Sequence, residues 1–296
     1  MMRFHNQQEE FELSGVRFGG QPGRRRTVMV GSMCYPRHSI VEDRASGRCR
    51  EGSFAQLLSS LDSALEETST PGGVMLFAET PEAMEAYLRT AADLTALPLF
   101  IDSPSAEVRL AGARVAGEMG IAGRVVYNSL SAGTTERELE GLKDSGIAAA
   151  VLMSFNPRDV ELKGKIYLLE DGGGLLPAGL IDLARQAGIT KPLIDTAVMA
   201  VEQGAGSSLR AIMVAKAKWG LPAGCALHNA VESYPPLSRL EGDDRKLYRY
   251  VDVASAVMPI MAGGDFVMYG PLEYARRACY AASFADEMMR QAVADI

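Results

Sequence analysis

Eight short apolar runs, each followed by a segment of helical character, constrain this chain more than any other feature of its sequence. The runs are 27–33 (TVMVGSM), 73–78 (GVMLFA), 97–101 (LPLFI), 124–127 (RVVY), 148–155 (AAAVLMSF), 191–194 (KPLI), 224–228 (GCALH) and 265–269 (DFVMY). Polar and apolar residues do not alternate within them. They therefore read as strands buried on both faces, the condition of a parallel sheet.

The intervening segments carry helix signals. Thr80-Pro81-Glu82 supplies a cap, a proline at the first helical position and an acid in the first turn. The helix after it places Met84, Tyr87, Leu88, Ala91 and Leu94 on one face. Thr134 or Thr135 caps the segment holding Leu139 and Leu142, with Gly146 as its stop signal. Ser207 or Ser208 caps 209–219, which ends at Gly220 and Pro222, and 271–294 forms the last helix. No Pro/Gly-rich linker interrupts the series, and a chain of 296 residues suits a barrel fold, which needs about 250. The expected architecture is α/β: a single (β/α)8 TIM barrel spanning 1–296. Residues 1–26, with the turn-forming Gly19-Gly20-Gln21-Pro22-Gly23, are expected to form a lead-in segment closing the barrel's bottom.

Composition excludes several functions. A net charge of −7 and a pI near 5.2 disfavour an extended nucleic-acid surface, and Arg24-Arg25-Arg26 reads as a solvated loop. The four cysteines form no C-x-x-C pair, and the three histidines have no zincin spacing, so no bound metal is expected. The N-terminus carries charges where a signal peptide has an apolar core, and no run reaches the length of a membrane span. These features predict a cytoplasmic protein with reduced thiols and no membrane insertion.

The residues after the strands are the informative ones. Glu79, Asp102, Asn128, Asn156, Asp195 and Asn229 follow six consecutive apolar runs. In this fold the C-terminal strand ends build the active-site face, so the six are expected to converge on one cavity. Each alone has an ordinary explanation as a helix cap or turn residue, and for Glu79 and Asn156 both readings stay open. No lysine ends a strand, which disfavours a Schiff-base aldolase. No Ser-His-Asp order and no G-x-G-x-x-G is present either. Gly172-Gly173-Gly174 fits no phosphate motif. Gly204-Ala205-Gly206-Ser207 reads either as a plain turn or as amides offered to an anion. Carboxylates and carboxamides remain, and these read planar heterocycles through paired hydrogen bonds; the 2-amino-4-oxo edge of a pterin has the matching pattern.

At these residues the chain resembles a known family. The matching segments are FGGQPG (18–23), R-H-x-I-V-E-D (37–43), TPEA (80–83), IDS (101–103), YNS (127–129) and FNP (155–157). GITKPLID (188–195), GAGSSLRA (204–211), KAKWG (216–220), HN (228–229) and GDFVMYGP (264–271) complete the set. Together they resemble the H-subunit family of tetrahydromethanopterin S-methyltransferase over nearly the whole chain, including bacterial members of methylcorrinoid:tetrahydrofolate methyltransferase type.

The resemblance implies a methyltransferase that moves a methyl group between a corrinoid (methylcobalamin, on a separate corrinoid protein) and N5 of tetrahydrofolate. Tetrahydromethanopterin is the other possible carrier, and a homodimer is implied. Asp102, Asn128 and Asp195 would read the pterin, and Asn229 would attend N5, offering its carbonyl oxygen to N5–H+ and reorienting between states. Ser103 and Gly206 are further possible substrate contacts, beside Glu79 and Asn156. The alternative is a non-catalytic or complex-dependent subunit of a tetrahydromethanopterin methyltransferase assembly. A dihydropteroate-synthase-like enzyme is disfavoured, since MYGP at the last strand offers no lysine or arginine for a diphosphate. The 157–177 connection, long for a βα loop, is a candidate contact for the corrinoid protein, and the 37–43 motif has no assigned role.

Overall fold

The structure, a computed structural model, describes residues 3–294; residues 1, 2, 295 and 296 of the predicted 1–296 domain lie outside them. The chain opens with a β-hairpin, β1 (Glu10–Leu13) and β2 (Val16–Gly19), and then enters β3 (Val28–Met33). A second hairpin, β4 (Val41–Asp43) and β5 (Arg48–Cys49), precedes α1 (Ser53–Thr68). Then come β6 (Gly72–Phe77), α2 (Pro81–Leu94), β7 (Leu99–Asp102), α3 (Ala106–Glu118), β8 (Val125–Leu130) and α4 (Glu136–Lys143). Next are β9 (Ala149–Met153), α5 (Leu162–Glu170), α6 (Leu180–Gln186), β10 (Lys191–Asp195), α7 (Ala205–Trp219) and β11 (Ala223–Cys225). The chain ends with α8 (His228–Glu232), α9 (Pro235–Ser238), α10 (Leu247–Met261), β12 (Phe266–Pro271) and α11 (Ala275–Ala294).

Eight parallel strands close into a barrel in the order β10-β11-β12-β3-β6-β7-β8-β9. The fold is the (β/α)8 barrel expected, and every predicted run supplies one strand. Each strand is apolar on both sides for a visible reason. Val28, Val30, Met75, Phe100, Val126, Val151, Leu193 and Phe266 fill the barrel's interior. Their neighbours Met29, Val74, Leu99, Ile101, Val125, Leu152 and Ile194 pack outward against the helices.

The first hairpin plugs the interior from the N-terminal ends of the strands. Leu13 and Phe18 join the interior cluster, with Phe18 fully buried between Phe100 and Phe266 at ring-centroid distances of 6.4 Å. Lys191 Nζ at the start of β10 donates to Glu12 O (2.8 Å), and Ser14 Oγ donates to Ala96 O just before β7 (2.6 Å). A buried ion pair completes the closure: Lys216 Nζ donates to Asp265 Oδ1 (2.5 Å), to Oδ2 (2.6 Å) and to Gly20 O (3.0 Å). Lys216 and Asp265 both belong to segments that carry the family resemblance, and here they hold the base of the barrel together.

Several boundaries differ from the sequence expectations. Thr80 does cap α2 through Ala83 N, but Leu94 is 42% exposed because the helix runs out at that residue. Thr135, not Thr134, caps α4, which stops at Lys143, three residues before the left-handed Gly146. The helix α7 begins at Ala205, ahead of both candidate serines, with left-handed Gly204 at its N-cap. Ser207 instead donates to the Glu161 carboxylate and Ser208 to Ala197 O. The last helix begins at Ala275, because β12 continues to Pro271 and a 3-10 turn over Leu272–Tyr274 intervenes. The 157–177 connection is not a long loop: α5 occupies nine of its residues, and Lys165, Ile166, Leu168 and Leu169 are buried. Continuous apolar side chains at helical spacing were masked there by the adjoining Gly172-Gly173-Gly174.

Candidate active site at the barrel mouth

The alternation of the strands decides which residues face the mouth. Side chains two apart share a face, so the layer above Phe100, Val126 and Leu193 consists of Asp102, Asn128 and Asp195. The same count above Met75 and Val151 gives Phe77 and Met153, both partly exposed. Register pairs Phe77 with Asp102, Asp102 with Asn128, and Met153 with Asp195. The mouth therefore carries polar edges on β7, β8 and β10 beside an aromatic and a thioether on β6 and β9.

Asn128 Nδ2 donates to Asp102 Oδ1 at 3.1 Å. Burial pushes the Asp102 carboxyl up to about 7, with the Arg109 guanidinium drawing it back down. Asp195 is 7% exposed, and its Oδ1 accepts from Ala197 N at 2.8 Å. Burial raises its carboxyl to about 6, against the pull of that amide and of the Lys165 charge. Among the described residues, neither Asp102 nor Asp195 forms a direct ion pair. Both stay available to an external donor.

A buried network stands behind Asp102. Arg109 of α3 donates to Ser103 O (2.5 Å) and to Glu138 Oε1 (2.5 Å), and Tyr127 OH donates to the same Glu138 oxygen (2.6 Å). Ser103 is 5% exposed, and its hydroxyl accepts from Ser105 N (3.2 Å), which commits it to the turn. These residues escaped the sequence reading because Arg109 and Glu138 sit on helices, 29 residues apart.

The other candidates lie beyond the strand ends. Asn229 does not end a strand: β11 stops at Cys225, and Asn229 lies within the short helix α8. Its Nδ2 donates to Val198 O at 2.8 Å, which sets the amide's orientation, and among the described residues no protein donor is bonded to its Oδ1. Glu79 lies two residues past β6, exposed, paired with Arg44 of the second hairpin (3.4 Å). Asn156 is 3% exposed and accepts from Arg158 N on Oδ1 (2.9 Å). A side chain at Gly173, itself left-handed at φ 56°, would come within 2.9 Å of Asn156 Nδ2. Asn156 is thus a turn residue locked against the glycine loop. Gly206 is exposed in the first turn of α7 with open space beside it.

The neighbour of Asn229, His228, is the anchor of α8. Its Nδ1 meets Asp252 Oδ1 (2.6 Å) and its Nε2 meets Glu232 Oε1 (3.2 Å), while Arg277 binds Asp252 Oδ2 at 2.5 Å. Burial alone would lower the imidazole, but the two carboxylates raise it to about 9. Arg277, the arginine near the last strand, is therefore committed to Asp252. Within the 37–43 motif, His38 Nδ1 accepts from Cys34 N (2.9 Å), so its Nε2 donates to Glu273 Oε1 (3.0 Å). Asp43 accepts from Ala45 N (3.0 Å) and Ser46 Oγ (2.6 Å), closing the turn of the second hairpin.

The fold is a (β/α)8 barrel with a polar mouth at the C-terminal ends of its strands. In shape the chain is similar to dihydropteroate synthase from Yersinia pestis, solved with a pterine-sulfa conjugate, at a TM-score of 0.63 and 15% identity, covering 96% of this chain and 99% of that one. The Xanthomonas albilineans dihydropteroate synthase, solved with 7,8-dihydropteroate, gives a TM-score of 0.57 at 16% identity, covering 96% and 98%. At the level of family the sequence is more specific. Residues 6–296 match the family model for the tetrahydromethanopterin S-methyltransferase MtrH subunit, and the chain belongs to that family. It is 39% identical over 296 residues to the H subunit of tetrahydromethanopterin S-methyltransferase from Methanothermobacter thermautotrophicus, covering 100% of this chain and 96% of that protein. It is 37% identical to the H subunit of the putative methyltransferase mtx from Methanosarcina barkeri, with the same coverage. Among the described residues, no helix is long and apolar enough to cross a membrane.

Proposed function

We propose that this chain transfers a methyl group between a corrinoid carried on a partner protein and N5 of tetrahydrofolate. The observation that carries the reading is the pair of mouth carboxylates, Asp102 and Asp195, which are desolvated yet free of direct ion pairs among the described residues. A desolvated carboxylate gains most from a bidentate N–H/NH2 edge, and that is what a reduced pterin offers. Asn128, oriented by Asp102, would supply the complementary amide. Phe77 and Met153 would flank the heterocycle.

Asn229 would then act at N5. A tertiary amine leaves poorly unless positive charge at N5 is stabilised, and an amide oxygen can accept N5–H+. The bond from Asn229 Nδ2 to Val198 O supports this role, since it leaves the carbonyl as the free end of the amide. Reorientation of the amide would require that bond to break. The corrinoid supplies the other end of the transfer, as methyl donor or acceptor. Tetrahydromethanopterin shares the pterin edge and is the competing carrier.

The test is spectroscopic. Purified chain is mixed with free methylcobalamin, and loss of the methylcobalamin absorption is followed with tetrahydrofolate or tetrahydromethanopterin as acceptor. Transfer to tetrahydrofolate supports the proposal; transfer only to tetrahydromethanopterin replaces the carrier. A second reading, a subunit active only in an assembly, is favoured by the names of the relatives, each of which is called an H subunit. No transfer by the lone chain, either from free methylcobalamin or from a methylated corrinoid protein, would favour that reading. We place the protein in the cytoplasm as a homodimer, for which Tyr250 on α10 and Phe284 on α11, 68% and 67% exposed, offer apolar surface.

A further inference from the structure

Lys165 on α5 is fully buried, and it has no part in the pterin site as described. Its Nζ donates to Ala197 O at 2.8 Å, its one hydrogen bond among the described residues. An ammonium carries three donors, so this one is poorly compensated. Burying a charge in that state is costly, and an apolar side chain of similar length would fill the space without that cost. The position of the charge accounts for it.

Ala197 lies two residues past Asp195 at the end of β10, with φ +53°, a left-handed conformation that a residue with a Cβ adopts only when held there. Two donors hold its carbonyl, Lys165 Nζ and Ser208 Oγ (2.9 Å). Its N–H in turn donates to Asp195 Oδ1 at 2.8 Å. The ammonium and the carboxylate are thus fastened to opposite sides of one residue. The other ionisable group facing Asp195 is the buried Cys225 thiol on β11, while Glu161 of the α5 N-cap faces Lys165.

We infer that Lys165 is a positioning residue for Asp195, setting the direction of the carboxylate through Ala197 and favouring its charged form. The inference rests on the pterin reading only for the use made of that carboxylate. Lys165 itself touches no substrate.

The Ala197 amide reports the ionisation of Asp195 without any ligand, so its 15N–1H signal is followed against pH in wild type, Lys165→Met and Ser208→Ala. The wild-type midpoint is expected at about 6. The Lys165→Met midpoint is expected to rise by about one pH unit, a tenfold change in the ionisation equilibrium. Ser208→Ala, which removes a hydrogen bond but no charge, should leave the midpoint in place. An unmoved midpoint in folded Lys165→Met overturns the inference. Should that variant not fold, Asp195→Asn is used and the Lys165 side-chain nitrogen is titrated. Loss of the carboxylate must then lower the lysine's midpoint, and no change overturns the inference.

Tetrahydrofolate binding gives the second readout. Its Kd at pH 6 should weaken by about fivefold in Lys165→Met and recover toward wild type at higher pH. A merely structural lysine would weaken binding equally at every pH, which would overturn the inference. If the Ala197 midpoint moves but neither protein binds tetrahydrofolate, the positioning role stands and the pterin reading falls.

Discussion

Asn128 on β8 gives its amide nitrogen to the Asp102 carboxylate on β7 at 3.1 Å, joining the ends of two neighbouring barrel strands. The bond sets which end of the Asn128 amide is the free acceptor. It also leaves the second Asp102 oxygen open to the mouth.

Pterin binding should depend on that carboxylate being ionised. Burial raises Asp102 to about 7 and Asp195 to about 6. If the ligand binds the charged forms, affinity should be full above these values and fall as pH drops through 7 and then 6, by up to about tenfold per pH unit for each group. Calorimetric titration of tetrahydrofolate between pH 5 and 8 would show it. Asp102→Asn should weaken binding by about 1.5–3 kcal/mol and remove the upper inflection. Glu79→Gln, on the exposed ion pair with Arg44, should leave binding unchanged.

Asn229→Ala should lower kcat by about 10²–10³, the usual loss when one transition-state contact is removed. Tetrahydrofolate affinity should stay near wild type, because the proposed contact would strengthen only as charge develops at N5. Single-turnover loss of methylcobalamin, measured beside equilibrium binding, separates the two. A variant with weakened binding and normal turnover would assign Asn229 to substrate recognition instead.

His228 should make stability pH-dependent on the alkaline side. Its imidazole, first opposed by burial and then raised by Asp252 and Glu232, titrates at about 9 in the folded chain. A raised value means stabilisation that is complete below the unfolded value of about 6.5 and lost as pH rises through 9. The Glu232 side chain is 61% exposed, so its share is screened, and the remaining effect is about 2–3 kcal/mol. Thermal melts of wild type and His228→Gln should therefore differ most at pH 6 and converge above pH 9.

Arg109→Met should destabilise the fold by about 3–5 kcal/mol, since it leaves buried Glu138 with the Tyr127 hydroxyl but without its cationic partner. Arg109→Met with Glu138→Leu should recover much of that loss, because two apolar groups replace the pair. Urea unfolding of the two variants measures the difference.

Phe18→Ala should cost about 3–5 kcal/mol by opening a cavity between Phe100 and Phe266. Methyl transfer at the opposite end of the barrel should persist in the folded fraction. Denaturation midpoints compared with turnover per folded molecule test this separation of base from mouth.

The eight strands were legible because each had to be apolar on both faces, one toward Phe100 and Val126 inside, the other toward the helices. The same alternation makes Asp102, Asn128 and Asp195 inward residues once the strands are located. It does not extend past a strand end. Glu79, Asn156 and Asn229 follow apolar runs just as closely, yet they lie on an exposed hairpin contact, in a turn and on a short helix. A run of side chains has no marker for the residue at which its backbone stops pairing.

The sequence by itself determined the barrel, its eight strands and the polar residues placed at the rim, since burial on both faces and a period of two are properties of residue order. Tertiary structure alone decided which of those residues share a site and what stands behind them. Arg109 reaches Glu138 across 29 residues, Lys165 reaches Ala197 across 32, and His228 reaches Asp252 across 24. Such pairs exist only when elements distant in the chain pack together, and no local pattern encodes that packing. The mouth is therefore written in the strands, while the charges that tune it come from the helices around them.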